Sequence, residues 1–225
     1  MFNLKELKNL LSKREISKDI PKHVIINLFP IKDEEPKTHF KKIPELINTI
    51  MEIQVEKKIP IITISIGKNE DMHDQKVLHK YMDDFLKLAI SKKAKVTVLG
   101  KWYDLTGEIV EGFKRIMKET RDFDNYFLNL CINYDGKTEI TDASRVIIKK
   151  ISLEKENTES ITTDLIKENI YSSYFLPADL IIEPYNRFTG TFLWDSVNAK
   201  IVFLKKQNFN FQKADFEKAI SSYSE

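Results

Sequence analysis

A chain of 225 residues, 42% hydrophobic and 31% charged, is long enough to bury one sizeable core and reads as a single α/β domain over residues 1–225. Its 36 Lys and Arg against 34 Asp and Glu leave a formal charge of +2 with both signs interspersed, so the charge balance gives no drive toward nucleic acid. The one cysteine, Cys131, excludes an internal disulfide, and no run approaches the ~20 apolar residues of a membrane span or the core of a signal peptide; the expectation is a cytoplasmic protein, peripheral at a membrane at most.

Phe2, Leu4, Leu7, Leu10 and Leu11 stand among lysines, which predicts an amphipathic helix within residues 1–20 that packs on the domain or touches a membrane surface. Short β-rich runs then alternate with longer segments of helical period, the pattern of a parallel sheet covered by helices. Strands are predicted at HVIINLF from His23, IPIITISI from Ile59, KVTVLG from Lys95, FLNLCIN from Phe127, DLIIE from Asp179 and KIVFL from Lys200. Between them, Ile43, Leu46, Ile47, Ile50 and Met51 recur at helical spacing, and the segment HDQKVLHKYMDDFLKLAISKK behaves likewise. LTGEIVEGFKRIMKET, TEITDASRVIIKK and ADFEKAISSY supply further helices, with Thr138 and Glu139 near the start of the second of these. The polar stretch 152–163 reads as a loop. The result is an α/β fold, a six-stranded mostly parallel sheet surrounded by helices.

Two stretches carry more than periodicity. LNLCINYDGKTEITDA resembles a strand, Asn-Tyr-Gly-Gly turn and helix, with Asn133, Tyr134, Gly136, Glu139, Ile140 and Asp142 in matching places. FLPADLIIEPYNRFTGTFLW resembles a Leu-Pro-Asp-x-Asp-Leu-Ile-Arg segment followed by an Arg-Leu-Ser-Asn-Phe-Leu-Leu-Trp run. Both are similar to the cis-prenyltransferase family, the undecaprenyl and dehydrodolichyl diphosphate synthases, and the likeness extends from about His23 to Tyr223. It implies a six-stranded parallel sheet, a hydrophobic tunnel for a growing isoprenoid chain, and dimerisation through the C-terminal part.

The chemistry implied by that resemblance joins isopentenyl diphosphate to an allylic diphosphate, which requires Mg²⁺, carboxylates to hold it and Arg or Lys donors for phosphate. Against the family's Asp-Gly-Asn-Gly-Arg this chain has Phe29, Pro30, Ile31 and Lys32: a phenyl ring offers Mg²⁺ no lone pair, and a proline has no N–H to donate. Of the family's Gly-His-x-x-Gly only His39 remains, and IGKNEDM from Ile66 replaces its Phe-Ser-Thr-Glu-Asn-Trp. Glu183 stands where the family has an arginine, which places a carboxylate against a polyanion; Lys200 stands where it has a metal-binding glutamate. The family's frequent Arg-x-Gly tail is replaced by SSYSE.

No catalytic residue and no bound metal are therefore expected of this chain, with Mg²⁺ expected in a catalytic partner. Lys32, His39, Arg187 and Thr189 are the phosphate-binding candidates that persist. Phe192, Trp194, Phe203 and Leu204 are interface candidates, with Ile201 and Phe203 equally suited to a core. The resemblance implies a non-catalytic accessory subunit of a heteromeric enzyme making long-chain polyprenyl diphosphate for dolichol-type carriers, akin to the Nogo-B receptor type and paired with a catalytic paralogue. The alternatives are a homodimer that binds an isoprenoid or other lipid without chemistry, and a divergent enzyme with a rebuilt site. For that last option His23, His39, His73 and His79 lack metal-ligand spacing, and Asp83 and Asp84 read as a solvated helix face.

Overall fold

The computed structural model describes residues 7–8, 11–12, 17–28, 36–67, 75–155, 157–205 and 210–224, with side chains from 42 in the second helix-bearing stretch and from 78 in the next. Six strands form one sheet: β1 (His23–Asn27), β2 (Ile61–Gly67), β3 (Ala94–Leu99), β4 (Tyr126–Ile132), β5 (Leu180–Pro184) and β6 (Lys200–Leu204). Their order is β3-β4-β2-β1-β5-β6, and every pairing is parallel. β1, β2 and β5 are buried along their whole length, which is why their Ile and Val content runs continuously instead of alternating.

The helices are α1 (Pro36–Glu56), α2 (Gln75–Ser91), α3 (Gly107–Glu119), α4 (Gly136–Glu154), α5 (Thr163–Asn169) and α6 (Lys213–Ser221). α1 opens on Pro36, whose missing N–H costs nothing in a first turn. The stripes of α1, α2, α3 and α6 close one core over Val24, Ile26, Ile62, Ile64, Leu128 and Leu130. The opposite face of the sheet carries a second core, built on Ile25, Ile61, Phe127, Cys131 and Ile181 and covered by Tyr134, Phe175 and Phe192. Leu7 and Leu11, one helical turn apart, are buried in that second core while Lys8 and Ser12 face solvent.

The predicted elements differ from the observed ones around α4. Asp135 caps this helix by accepting the Thr138 N–H at 3.0 Å, so the helix starts before Thr138. It runs on through Glu154 and ends on Lys155 in a left-handed conformation, φ 56°, so the first residues of the expected loop are helical. The short α5 was not predicted. It is set by Thr162, whose hydroxyl accepts the Leu165 N–H at 3.1 Å.

Candidate functional site

The carboxyl ends of β1, β2 and β5 meet on the second-core face. Asn27 pairs with Ser65, and Glu183 follows the pair Ile26 and Ile182, which places it beside Asn27. Glu183 is fully buried. Its Oε1 accepts the Thr189 N–H at 3.0 Å and the Thr189 hydroxyl at 3.1 Å. Asn27 Oδ1 accepts the Thr191 hydroxyl at 2.6 Å. Burial pushes the Glu183 carboxyl up to about 7, against the pull of the two Thr189 hydrogen bonds and one from the Asn27 side chain.

This geometry corrects the expectation that Glu183 stands as a repulsive charge before a diphosphate. The side chain turns inward and folds the 185–191 loop over itself, a loop that enters through Tyr185 at φ 55° and leaves through Gly190 at φ 81°. Both hydrogen-bond donors of Thr189 are spent on Glu183, so Thr189 is occupied as a phosphate ligand even though its surface is exposed. Arg187 is exposed on the same loop.

Beneath the loop lies a buried polar network that sequence reasoning did not anticipate. Tyr134 donates its hydroxyl to Glu139 Oε2 at 2.5 Å and accepts the Phe192 N–H at 3.1 Å; Glu139 Oε1 accepts the Ser172 N–H at 3.0 Å. Lys167 donates to Asp195 at 2.5 Å, and the Ser172 hydroxyl donates to the same oxygen at 2.7 Å. Burial raises the Glu139 carboxyl and the Tyr134 phenol and lowers the Lys167 ammonium. The network ties the turn after β4, α4, α5 and the 190s segment into one unit. Glu139, Lys167 and Asp195 lie far apart in the sequence and each has a polar neighbour, so no local signal marks them.

His23 is likewise structural. Its Nδ1 donates to the Leu176 carbonyl at 2.6 Å and its Nε2 accepts from the Thr63 hydroxyl at 2.8 Å, while Asn129 Nδ2 donates to that hydroxyl at 3.0 Å. The carbonyl can only accept, which fixes the tautomer. Burial lowers the imidazole below its ordinary value, keeping it neutral.

The remaining predicted positions are scattered. Phe29, Lys32 and His73 lie outside the described residues; His39 lies on α1 with its side chain outside them. Lys200 pairs with Leu180, and Glu183 pairs with Phe203, so three residues, ~10 Å of strand, separate them. The fold therefore does not bring Lys200 into the cluster of Asn27, Ser65 and Glu183; its ammonium instead donates to the Ser222 carbonyl. Phe192, expected at an interface, is a core residue of this chain: it is fully buried between His23 and Tyr134, ring centroids 5.8 and 5.9 Å away. Trp194 and Leu204 are half-buried, with Leu204 against the first core. Ile201 packs on the second core, whereas Phe203 is 40% exposed on the edge strand β6.

Asp83 pairs with Arg115 and Asp84 with Lys87 at 3.3 Å, both on exposed helix surface. His79 is exposed beside Glu108 at 3.9 Å. Among the described residues no group of three His, Cys, Asp or Glu side chains is placed to hold a metal. Magnesium demands near-octahedral oxygen ligation. Glu183, with one oxygen engaged by Thr189 and the Asn27 amide beside it, does not fit that demand. No helix among the described residues is long and apolar enough to cross a membrane.

The family described as "Putative undecaprenyl diphosphate synthase" matches residues 34–225. An isoprenyl transferase of Thermotoga maritima is 30% identical over 145 residues, 64% of this chain and 61% of its own length. A tritrans,polycis-undecaprenyl-diphosphate synthase (geranylgeranyl-diphosphate specific) of Thermoplasma volcanium is 27% identical over 194 residues, covering 81% of this chain and 74% of the relative. The match thus spans about three fifths of the Thermotoga protein. Among solved structures, lavandulyl diphosphate synthase from Lavandula x intermedia, in complex with dimethylallyl diphosphate, superposes with a TM-score of 0.81 at 18% identity over 92% of this chain and 97% of that one. A probable undecaprenyl diphosphate synthase from Campylobacter jejuni gives 0.68 at 17% over 90% and 94%. At these identities the superpositions establish the fold.

Proposed function

This chain belongs to the cis-prenyltransferase family, that of undecaprenyl diphosphate synthase, and on that premise we propose that it is a non-catalytic accessory subunit of a heteromeric cis-prenyltransferase making long-chain polyprenyl diphosphate. One observation carries the proposal: the position where the resemblance implies a substrate-binding arginine is a buried glutamate that consumes both donors of Thr189. A guanidinium offers a diphosphate five N–H donors, whereas of the candidates whose side chains are described this arrangement leaves Arg187 to meet a phosphate. A cluster that turns its hydrogen bonding inward holds a loop in place; it does not hold a polyanion.

The catalytic partner supplies the magnesium ligands and the phosphate-binding loop, and this chain supplies folded surface. Its described edge at β6, where Phe203 and Val197 are 40% and 67% exposed, is the surface offered to that partner.

The test is co-expression with a family paralogue that carries intact Asp-Gly-Asn-Gly-Arg and Arg-x-Ser-Asn motifs, read by co-purification and by incorporation of labelled isopentenyl diphosphate. The expected result is a stable complex more active than the paralogue alone, with this chain inactive by itself. Mg²⁺-dependent condensation by the lone chain would overturn the proposal. An isoprenoid extracted from the lone, purified homodimer would point to the lipid-binding alternative.

A further inference from the structure

Of the N-terminal leucines expected to serve either the domain or a membrane surface, Leu7 and Leu11 are spent on the second core. An apolar line bordered by lysines is instead exposed on the second half of α4. Ala143, Ile147 and Ile151 form the inner stripe of this helix. At about 100° per residue, Val146 and Leu153 fall within about 20° of each other on an outer line, and Lys149 and Lys150 fall about 50° to either side of it. Val146 is 51% and Leu153 83% exposed, and both lysines are exposed. Ile148, 59% exposed, falls on the far flank, about 150° from the line.

The charge on this face is one-sided. Asp142, one turn before Val146, is held by Lys101 at 3.3 Å, Arg145 at 2.8 Å and the Tyr171 hydroxyl at 2.5 Å. Lys101, Arg145, Lys149 and Lys150 against Asp142 are four cations to one acid, a net of +3 on one helix face in a chain whose total is +2. The exposed acids Glu154, Glu159, Asp164 and Glu168 belong to the helix end and the α5 segment, which confines the surplus to about 16 Å of α4.

The composition separates the two kinds of occupant. Protein interfaces are depleted of lysine and enriched in aromatic residues, whereas α4 sets two lysines astride the line and has no aromatic residue. A lipid surface suits it better. Aliphatic side chains enter the headgroup boundary, while lysines lay their stems along them and keep their ammonium groups at the level of the phosphates.

We infer that the Val146–Leu153 line of α4, bordered by Lys149 and Lys150, docks this chain on an anionic lipid surface. Each lysine near such a surface strengthens binding about fivefold, so the two supply about 25-fold, to which the apolar contact of Leu153 adds. The inference does not depend on the accessory-subunit reading, because it concerns only the surface of this chain.

The test is sedimentation of the full chain with vesicles of phosphatidylcholine alone and of equal parts phosphatidylcholine and phosphatidylglycerol. Binding is expected to the anionic vesicles only, weakening as salt is added. Lys149→Gln combined with Lys150→Gln should lower the affinity about 25-fold, and Leu153→Ser roughly 5–10-fold at unchanged charge. Ile148→Ser, the same loss of an exposed aliphatic side chain on the wrong flank, should leave binding as it is. All these positions are exposed, so the variants should melt with the parent chain. No binding to anionic vesicles, binding that survives the lysine changes, or an equal loss from Ile148→Ser overturns the inference. If the same variants instead abolish co-purification with a paralogue and no vesicle binding is found, the line serves an acidic protein partner and the lipid assignment fails.

Discussion

Gly136 rests against the carbonyl oxygen of Gly190 so closely that a Cβ at position 136 would overlap that oxygen and come within 2.8 Å of the Leu193 Cβ. The contact joins the first turn of α4 to the loop held down by Glu183 and Thr189. Neither neighbour is the free end of a flexible side chain, so the backbone itself must shift. Gly136→Ala is therefore expected to destabilise the fold by roughly 2–4 kcal/mol. Gly107→Ala, at the start of α3 where an added Cβ meets nothing within 4 Å, is the matched control and should be neutral or slightly stabilising. Urea unfolding of the two variants checks this.

Glu183 should make the protein less stable as pH rises. Its carboxyl is raised from 4.5 to about 7 in the fold, so between those values the unfolded chain gives up its proton while the folded chain keeps it. The stabilisation is complete below the unfolded value and is lost as pH climbs through about 7, a change on the order of 3 kcal/mol. Glu183→Gln keeps an acceptor for Thr189 and cannot ionise. The variant should equal the parent near pH ~4 and exceed it near pH ~8 by about that amount, read from denaturant midpoints across pH. Parallel curves for parent and variant would mean that Glu183 is not the source.

The sheet was legible because its strands are written as short apolar runs, β-branched and fully buried at β1, β2 and β5, and all six runs fall on observed strands. Helix limits were less so: Asp135 and Thr162 act as caps through a single side-chain bond, a feature that composition does not separate from an ordinary loop residue. The burial of Glu183 was not legible for a physical reason: only the closure of the loop through Thr189 and Thr191, six and eight positions further on, takes it out of water. Phe192 was misread in the same way, since its burial depends on a left-handed backbone, φ 51°, that turns the ring under the loop.

His23 should set the acid limb of stability. Burial holds its imidazole below the ordinary 6.5, so its contribution is full above that value and is lost as pH falls below it and the unfolded chain takes up a proton first. His23→Leu removes the titration but strands the Leu176 carbonyl and leaves the Thr63 hydroxyl with no acceptor in its place. At neutral pH the variant is expected to be less stable by roughly 1–3 kcal/mol for each group left unpaired, with a flatter acid limb. Thermal melts at several pH values separate the two effects.

Lys167 and Asp195 form a pair whose side chains are 15% and 2% exposed. Removing one partner leaves the other charged in an apolar setting. Lys167→Met should therefore cost ~3–5 kcal/mol, moderated by the Ser172 hydroxyl that still donates to Asp195. The double variant Lys167→Met with Asp195→Leu should lose less than the sum of the two single changes, because neither charge is then left alone. A double-mutant cycle on unfolding free energies measures the difference.

Phe203 and its neighbours on β6 give the partner surface its sharpest test. In the strand, Val202 and Leu204 pack on the first core and Ile201 on the second, so Phe203 alone among these four leaves a large apolar side chain 40% exposed. It sits on a sheet edge, whose unpaired backbone and apolar side chains invite association. Phe203→Glu places a charge there without disturbing the core positions on either side. If this edge docks a paralogue or a second copy of the chain, the variant should keep its melting temperature within about 1 °C while its assembly, followed by sedimentation, weakens at least ~10-fold, because burying a lone carboxylate in an apolar contact costs more than the exposed ring gains. An unchanged assembly would place the interface elsewhere and leave Phe203 as an ordinary exposed side chain, whereas a parallel loss of melting temperature would show that its ring serves the fold of this chain.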